Sequence, residues 1–197
     1  MTYYSSDRKF TDFVHAHLAI PLIYNSLNWK PILLEADEAR KIDVEIGVDY
    51  VFENNEKRIS VQERFRDKKY VKYNDFTIRY EREFSMLENQ VKSEFYKMKA
   101  DYFVYGIINQ SKEEFIQATD FLKFAVIDMK KIYQKIAQGD ILIENNRHNY
   151  CFAKGKKLYC PIKQNPDKSS SFFPIDVQIL LKLWGSEMIL MQKGFVI

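Results

Sequence analysis

A mixed α/β fold, its central sheet flanked by helices, is predicted by three features of this 197-residue chain. Residues 48–53 and 58–66 are rich in β-branched and aromatic side chains and flank Asn54-Asn55, which reads as a hairpin. The uninterrupted apolar run Tyr102-Phe103-Val104-Tyr105-Gly106-Ile107-Ile108 suits a strand buried on both faces. Apolar residues at helical spacing occur before the hairpin and on both sides of that run.

The elements follow in order. Ser5, Ser6 and Asp7 are candidate caps for a helix whose Phe10, Phe13, Val14, His17 and Leu18 share one face. Pro21 should kink or restart it, and Asn28-Trp29-Lys30-Pro31 should break it. Residues 35–45 are acidic and read as irregular. After the hairpin, 67–75 is a charged loop and 76–80 alternates as a third strand of the meander. Residues 88–99 form an amphipathic helix through Val91, Phe95 and Met98, leading into 102–108. Residues 121–127 are a further strand. Asp128 opens the helix 129–137, which ends at Gly139 in the C′ position. Residues 150–153 and 158–162 make a second hairpin around Lys154-Gly155-Lys156-Lys157, and 166–171 is a polar loop. A last helix begins near Pro174-Ile175-Asp176 and buries Ile179, Leu180, Leu183 and Trp184. With no linker or repeat, the reading is one domain over 1–197, its core at about 7–140 and a C-terminal hairpin and helix at 141–197.

A hydrophobic share of 46% with only 6 Gly and 5 Pro describes a globular chain rather than a disordered one. No apolar run approaches the ~18 residues of a membrane span, and the N-terminus lacks a signal-peptide pattern. A soluble, cytoplasmic protein with reduced Cys151 and Cys160 is expected. The net charge of +3 neither demands nor excludes nucleic acid, but its distribution is uneven. Arg58, Arg64, Arg66, Lys68, Lys69, Lys72, Arg79 and Arg82 outnumber Glu63, Asp67, Asp75 and Glu81 in one short stretch. Aromatic residues reach 15%, which serves sheet packing first and base stacking second. No phosphate-binding glycine loop, dinucleotide fingerprint, His-Glu-x-x-His or Gly-x-Ser-x-Gly motif is present, so no nucleotide cofactor is expected.

The chemistry concentrates in the first hairpin. Asp49 sits in the apolar run 47–52, where an acid is costly unless it is paired or binds metal. The facing strand carries Gln62-Glu63-Arg64. Strict alternation sets Ser60, Gln62, Arg64 and Arg66 on one face and Val61, Glu63 and Phe65 on the other. Gln62 then offers an amide oxygen beside Asp49, whereas a β-bulge would bring Glu63 there instead and turn Arg64 away. Arg64 stays protonated, so its available roles are binding phosphate and orienting water. Glu45 and Asp12 are candidate additional ligands. His15 and His17, two residues apart, do not share a helical face. His148 beside Arg147 lies in a loop.

These residues and the element order resemble the PD-(D/E)XK nuclease superfamily over about 7–109: opening helix, acid-bearing strand, triplet-bearing strand, helix, central strand. Ile46-Gly47-Val48-Asp49 is similar to the Gly-Ile-Asp that introduces the metal aspartate in several branches. Gln62-x-Arg64 stands where acid-x-Lys is usual, and is closest to branches with Gln-x-Lys. The resemblance implies a restriction endonuclease-like core and Mg²⁺- or Mn²⁺-dependent cleavage of DNA. Its catalytic set would be Asp49, Gln62, Glu63 and Arg64, with metal held by Asp49, Glu45 and Gln62. Arg66, Lys68, Lys69, Lys72, Arg79, Lys154, Lys156 and Lys157 would contact nucleic acid. Duplex cleavage needs two active sites or two visits, which a homodimer would provide. A nuclease-like fold without catalysis, binding nucleic acid or protein, is a second reading, and a structural or interaction α/β protein with no nucleic-acid role is a third.

Overall fold

The structure is a computed structural model that describes residues 3–81 and 93–196, with side chains from residue 7. Arg82, Val91 and the expected helix start at Glu88 lie outside the described residues. Six strands form the main sheet, in the order β1 (Lys30–Pro31), β2 (Tyr50–Asn54), β3 (Lys57–Arg66), β5 (Tyr102–Ile108), β6 (Phe121–Asp128), β12 (Ile189–Lys193). The sheet is mixed: β3 and β5 run parallel, and its other neighbours pair antiparallel.

The β2–β3 hairpin is tight because Asn55 and Glu56 both take positive φ, 47° and 65°. That is a two-residue turn one position later than Asn54-Asn55, and its twist matches the flanking strands. In β5, Phe103 to Ile108 are all buried, as an apolar run crossing the middle of a covered sheet must be. Gly106 is required there. A Cβ at that position would lie 2.6 Å from the Phe121 ring and 3.1 Å from Phe65. Gly106→Ala should cost about 1–3 kcal/mol by overpacking, read as a lowered urea midpoint at unchanged slope.

One face of the sheet is covered by α1 (Tyr3–Val14), which passes into a π-helical segment, His15–Tyr24, containing Pro21. The kink expected at proline is thus a wider winding. Phe10, Val14, Leu18, Ile23 and Tyr24 pack there on Val61, Phe65, Val104 and Ile108. The helical face turns inward through His15; His17 is exposed and stacks on Phe13 at 4.4 Å, correcting its expected place on the apolar face.

The opposite face carries α4 (Met129–Ala137), α5 (Val177–Trp184) and two small sheets, ordered β10 (Lys163–Gln164), β11 (Ser171–Asp176), β4 (Asp75–Glu81) and β7 (Ile141–Glu144), β9 (Lys157–Pro161), β8 (Phe152–Lys154). The third strand exists as β4, but it pairs with β11, the strand that follows the 166–171 loop, while β5 takes the edge of β3. Alternation along a segment specifies a strand and a buried face without naming its partner. Asp128 and Asp176 cap α4 and α5 by accepting from Lys131 N and Ile179 N, each at 3.0 Å. Leu180 and Leu181 are the leucines α5 buries, with Ile179, Leu183 and Trp184 partly covered.

Residues 35–45 are not irregular. Ala36–Ile46 is α2, with Asp37 and Glu38 in its first turn, where the helix dipole favours acids. Ile42 and Ile46, four apart, pack on the core. The helix ends at Gly47 (φ +59°), where Gly47 N bonds Asp43 O and Val48 N bonds Ile42 O. This left-handed cap fixes the chain's direction into Asp49. Lys97, on the short α3 (Glu94–Lys97), donates Nζ to Asp43 O and Val44 O at 3.2 and 2.8 Å.

Candidate functional site

Asp49 extends the hairpin ladder by one step, its N–H bonding Val61 O at 2.9 Å. Its Oδ2 accepts from Gln62 Nε2 at 2.8 Å and from Glu63 N at 2.7 Å. Its Oδ1 takes no hydrogen bond from the described residues. Burial raises the carboxyl from its ordinary 3.8 to about 7, the negative charges of Glu63 and Asp43 adding to the effect. The Glu63 N–H bond and Arg64 work against that rise without cancelling it. Among the acids of α2 it is Asp43 whose charge bears on Asp49; Glu45 is exposed.

The strand register decides between Gln62 and Glu63. β3 pairs with β2 and β5 without a shift, so no bulge turns Glu63 round. Gln62 stands with Asp49, and Glu63 faces the helical layer, which corrects Glu63 as a ligand beside Asp49. Gln62 presents its amide nitrogen to Asp49, as a donor that orients the carboxylate.

Arg64 is on the Asp49 face, but engaged. Its Nη2 lies 2.9 and 2.8 Å from the two oxygens of Glu94, and Nη1 donates to Thr77 O and to Thr77 Oγ1, the latter at 3.3 Å. Thr77 also receives Arg66 Nη2 at 3.0 Å, and Arg66 lies over the Tyr70 ring at 4.9 Å. Lys68, Lys69 and Lys72 are exposed on the segment that follows, with Lys69 paired to Asp67 at 3.1 Å. Arg79 is half-buried on β4 and has partners of its own. Lys154, Lys156 and Lys157 are exposed on the far turn, around Gly155 at φ +62°. Of these cations Arg64 is the one whose charge bears on Asp49, Arg66 and Arg79 meet Arg64 through Thr77 and Glu94, and the β8–β9 turn belongs to a separate sheet.

The opposite face of β3 holds a group that sequence reasoning missed. Glu63, its side chain fully buried, accepts from Tyr24 OH and contacts His15 Nδ1 at 2.9 Å through one oxygen, Oε1. Oε2 is buried with no partner among the described residues. His15 stacks on Tyr50 with 3.5 Å between centroids and 7° between planes. Burial, then the Glu63 charge, holds the Tyr24 and Tyr50 hydroxyls well above the usual tyrosine range. His15 and Tyr24 are nine residues apart, which at 3.6 residues per turn would place them on opposite sides of an α-helix. The wider i→i+5 winding makes nine residues roughly two turns, so both side chains reach one carboxylate. No spacing rule for α-helices finds this pair.

Among the described residues no three His, Cys, Asp or Glu side chains converge to hold a metal. Mg²⁺ asks for less, since one or two carboxylates with waters and substrate oxygens commonly suffice. Asp49, with an Oδ1 that has no partner among the described residues and a charge disfavoured by burial, fits such a site. No family model, curated protein or solved structure matches the chain. No helix among the described residues is long and apolar enough to cross a membrane.

Proposed function

We propose that this chain is a metal-dependent endodeoxyribonuclease with a restriction endonuclease-like core, cleaving phosphodiester bonds at the Asp49–Gln62–Arg64 face. The observation that carries the reading is the state of Asp49: a carboxyl lifted to about 7, one oxygen fixed by two donors and the other without a partner among the described residues. A cation beside it would relieve the cost of its charge. The hairpin followed by a parallel β5 also agrees with the element order of that superfamily.

In this reading Asp49 Oδ1 holds the metal and Gln62 keeps Asp49 in register by donating to Oδ2. Bound Mg²⁺ or Mn²⁺ would supply Lewis-acid activation of water and of the scissile phosphate. Arg64 pairs with the attacked phosphate once exchanged from Glu94, stabilising developing charge without taking a proton. Arg66, Arg79 and the lysines at 68, 69 and 72 meet the DNA backbone. Lys154, Lys156 and Lys157 reach a more distant part of the duplex. A homodimer would present two such faces to two strands.

The Arg64–Glu94 pair favours a second reading, a nuclease-like fold that binds nucleic acid or protein without cutting it. Plasmid nicking with Mg²⁺ or Mn²⁺, wild type against Asp49→Ala, separates the two. Nicking by the wild type that drops at least ~100-fold in the variant supports cleavage at Asp49. Nicking that survives the substitution overturns the site, and a salt-sensitive gel shift with no nicking in either metal supports the binding reading.

A further inference from the structure

The chain has two cysteines, Cys151 and Cys160, and both are free thiols. β8 and β9 pair antiparallel through Lys154↔Lys157, Ala153↔Leu158 and Phe152↔Tyr159. One further step sets Cys151 against Cys160. The type of pair follows from the other edge of β9. Leu158 N bonds Asp140 O and Ile162 N bonds Glu144 O, both on the β7 side. Alternate N–H groups of a strand point the same way, so that of Cys160 also turns toward β7. Toward β8 the two cysteines therefore form a non-hydrogen-bonded pair, where Cα atoms come within about 4.5 Å. That separation lies inside the roughly 4.4–6.8 Å that a disulfide spans.

Exposure differs between the two cysteines. Cys160 is fully buried, while Cys151 is half-buried at the edge of the same core cluster and donates its S–H to Pro174 O at 3.1 Å. The hydrogen bond with Cys151, and then burial, pushes the Cys160 thiol well above its ordinary range. Cys160 thus keeps its proton at rest, and Cys151 is the one of the two residues that is partly exposed. Two cysteines that merely fill a core have no need to face each other across a hairpin at contact distance.

We propose that Cys151 and Cys160 form a hydroperoxide-oxidised dithiol, a modification site that closes a reversible disulfide across the β8–β9 hairpin. The Cys151 thiolate attacks the terminal peroxide oxygen. The O–O bond breaks, the leaving alkoxide or hydroxide takes a proton, and Cys151 becomes the sulfenic acid. The Cys160 sulfur then attacks the Cys151 sulfur, the S–O bond breaks, and the leaving hydroxide takes the Cys160 proton to depart as water. Two thiols and one hydroperoxide yield one disulfide, one alcohol (or water) and one water, the sulfurs losing the two electrons that the peroxide gains.

The test uses the full chain treated with hydrogen peroxide, followed by thiol titration in denaturant and intact-mass measurement. Expected are loss of both thiols, a monomer lighter by two hydrogens, and recovery of both on adding dithiothreitol. Cys160→Ala should stop at a Cys151 sulfenic acid that dimedone traps, and wild-type mass alone carries the result if that variant folds poorly. Three outcomes overturn the proposal: both thiols surviving in the folded chain while the denatured chain oxidises, Cys151 gaining oxygens without a disulfide, or the bridge forming only between chains.

Discussion

Asp49→Asn is expected to stabilise the protein by on the order of 3 kcal/mol above about pH 7.5, and by less than about 1 kcal/mol near pH 4.5. Asparagine can accept from Gln62 Nε2 and Glu63 N through one oxygen, as Asp49 Oδ2 does, and its amide nitrogen takes the place of an Oδ1 with no partner among the described residues. The hydrogen bonds survive and the buried charge does not. The folded carboxyl titrates at about 7 against 3.8 in its ordinary state. Between those values the native state holds the proton more tightly than the unfolded chain. The contribution of Asp49 is therefore fully present below about pH 3.8, is lost as pH rises to about 7, and is flat beyond. Urea denaturation of both forms across that range should show a gap that widens with pH. A gap independent of pH would remove burial as the cause of the raised pKa.

The same pair of proteins reports on metal without any substrate. A cation that binds the ionised native state stabilises it by mass action. Saturating Mg²⁺ at about pH 7.5 should raise the melting temperature of the wild type and leave Asp49→Asn unmoved. Equal stabilisation of both would place the cation elsewhere and take Asp49 out of the ligand set.

The hairpin, β5, β6 and α4 were legible because each is a local signal: alternation, a continuous apolar run, or an Asp cap with a closing glycine. The side of β3 on which each residue falls was legible too, since period two leaves no freedom once the register is regular. The pairing of β4 with β11 was hidden, because it joins segments about a hundred residues apart and neither encodes the other. α2 was hidden by its charge: only Ile42 and Ile46 reach the core, and the cap at Gly47 carries the rest of the signal. Glu94 as the partner of Arg64, and Tyr24 with His15 around Glu63, depend on where α3 packs and on a non-α winding. Asp49 was therefore found by the unlikeliness of its setting, whereas the neighbours that tune it were not.

Removing the Glu94 carboxylate is expected to have the second large effect, on stability and on DNA affinity together. The Glu94 side chain is 9% exposed and that of Arg64 27%, with both Glu94 oxygens within 2.9 Å of Arg64 Nη2. Glu94→Ala leaves a half-buried guanidinium with Thr77 as its remaining polar partner on β4, at a cost of about 3 kcal/mol. That figure sits at the low end for a broken buried pair because Arg64 keeps some access to water. Replacing both partners, Arg64→Met with Glu94→Leu, should cost less than Glu94→Ala alone, since neither charge is then stranded. Glu94→Gln separates structure from function: it keeps the size and an acceptor, and drops the charge that holds Arg64. If Arg64 serves a phosphate, that variant should bind duplex DNA more tightly, with a salt slope steeper by about one counterion, and nick plasmid faster. An unchanged gel shift combined with a lowered urea midpoint would instead make the Arg64–Glu94 pair a strut between β3 and α3. The phosphate role would then pass to Arg66, which reaches the same Thr77 and has no acid within bonding distance among the described residues.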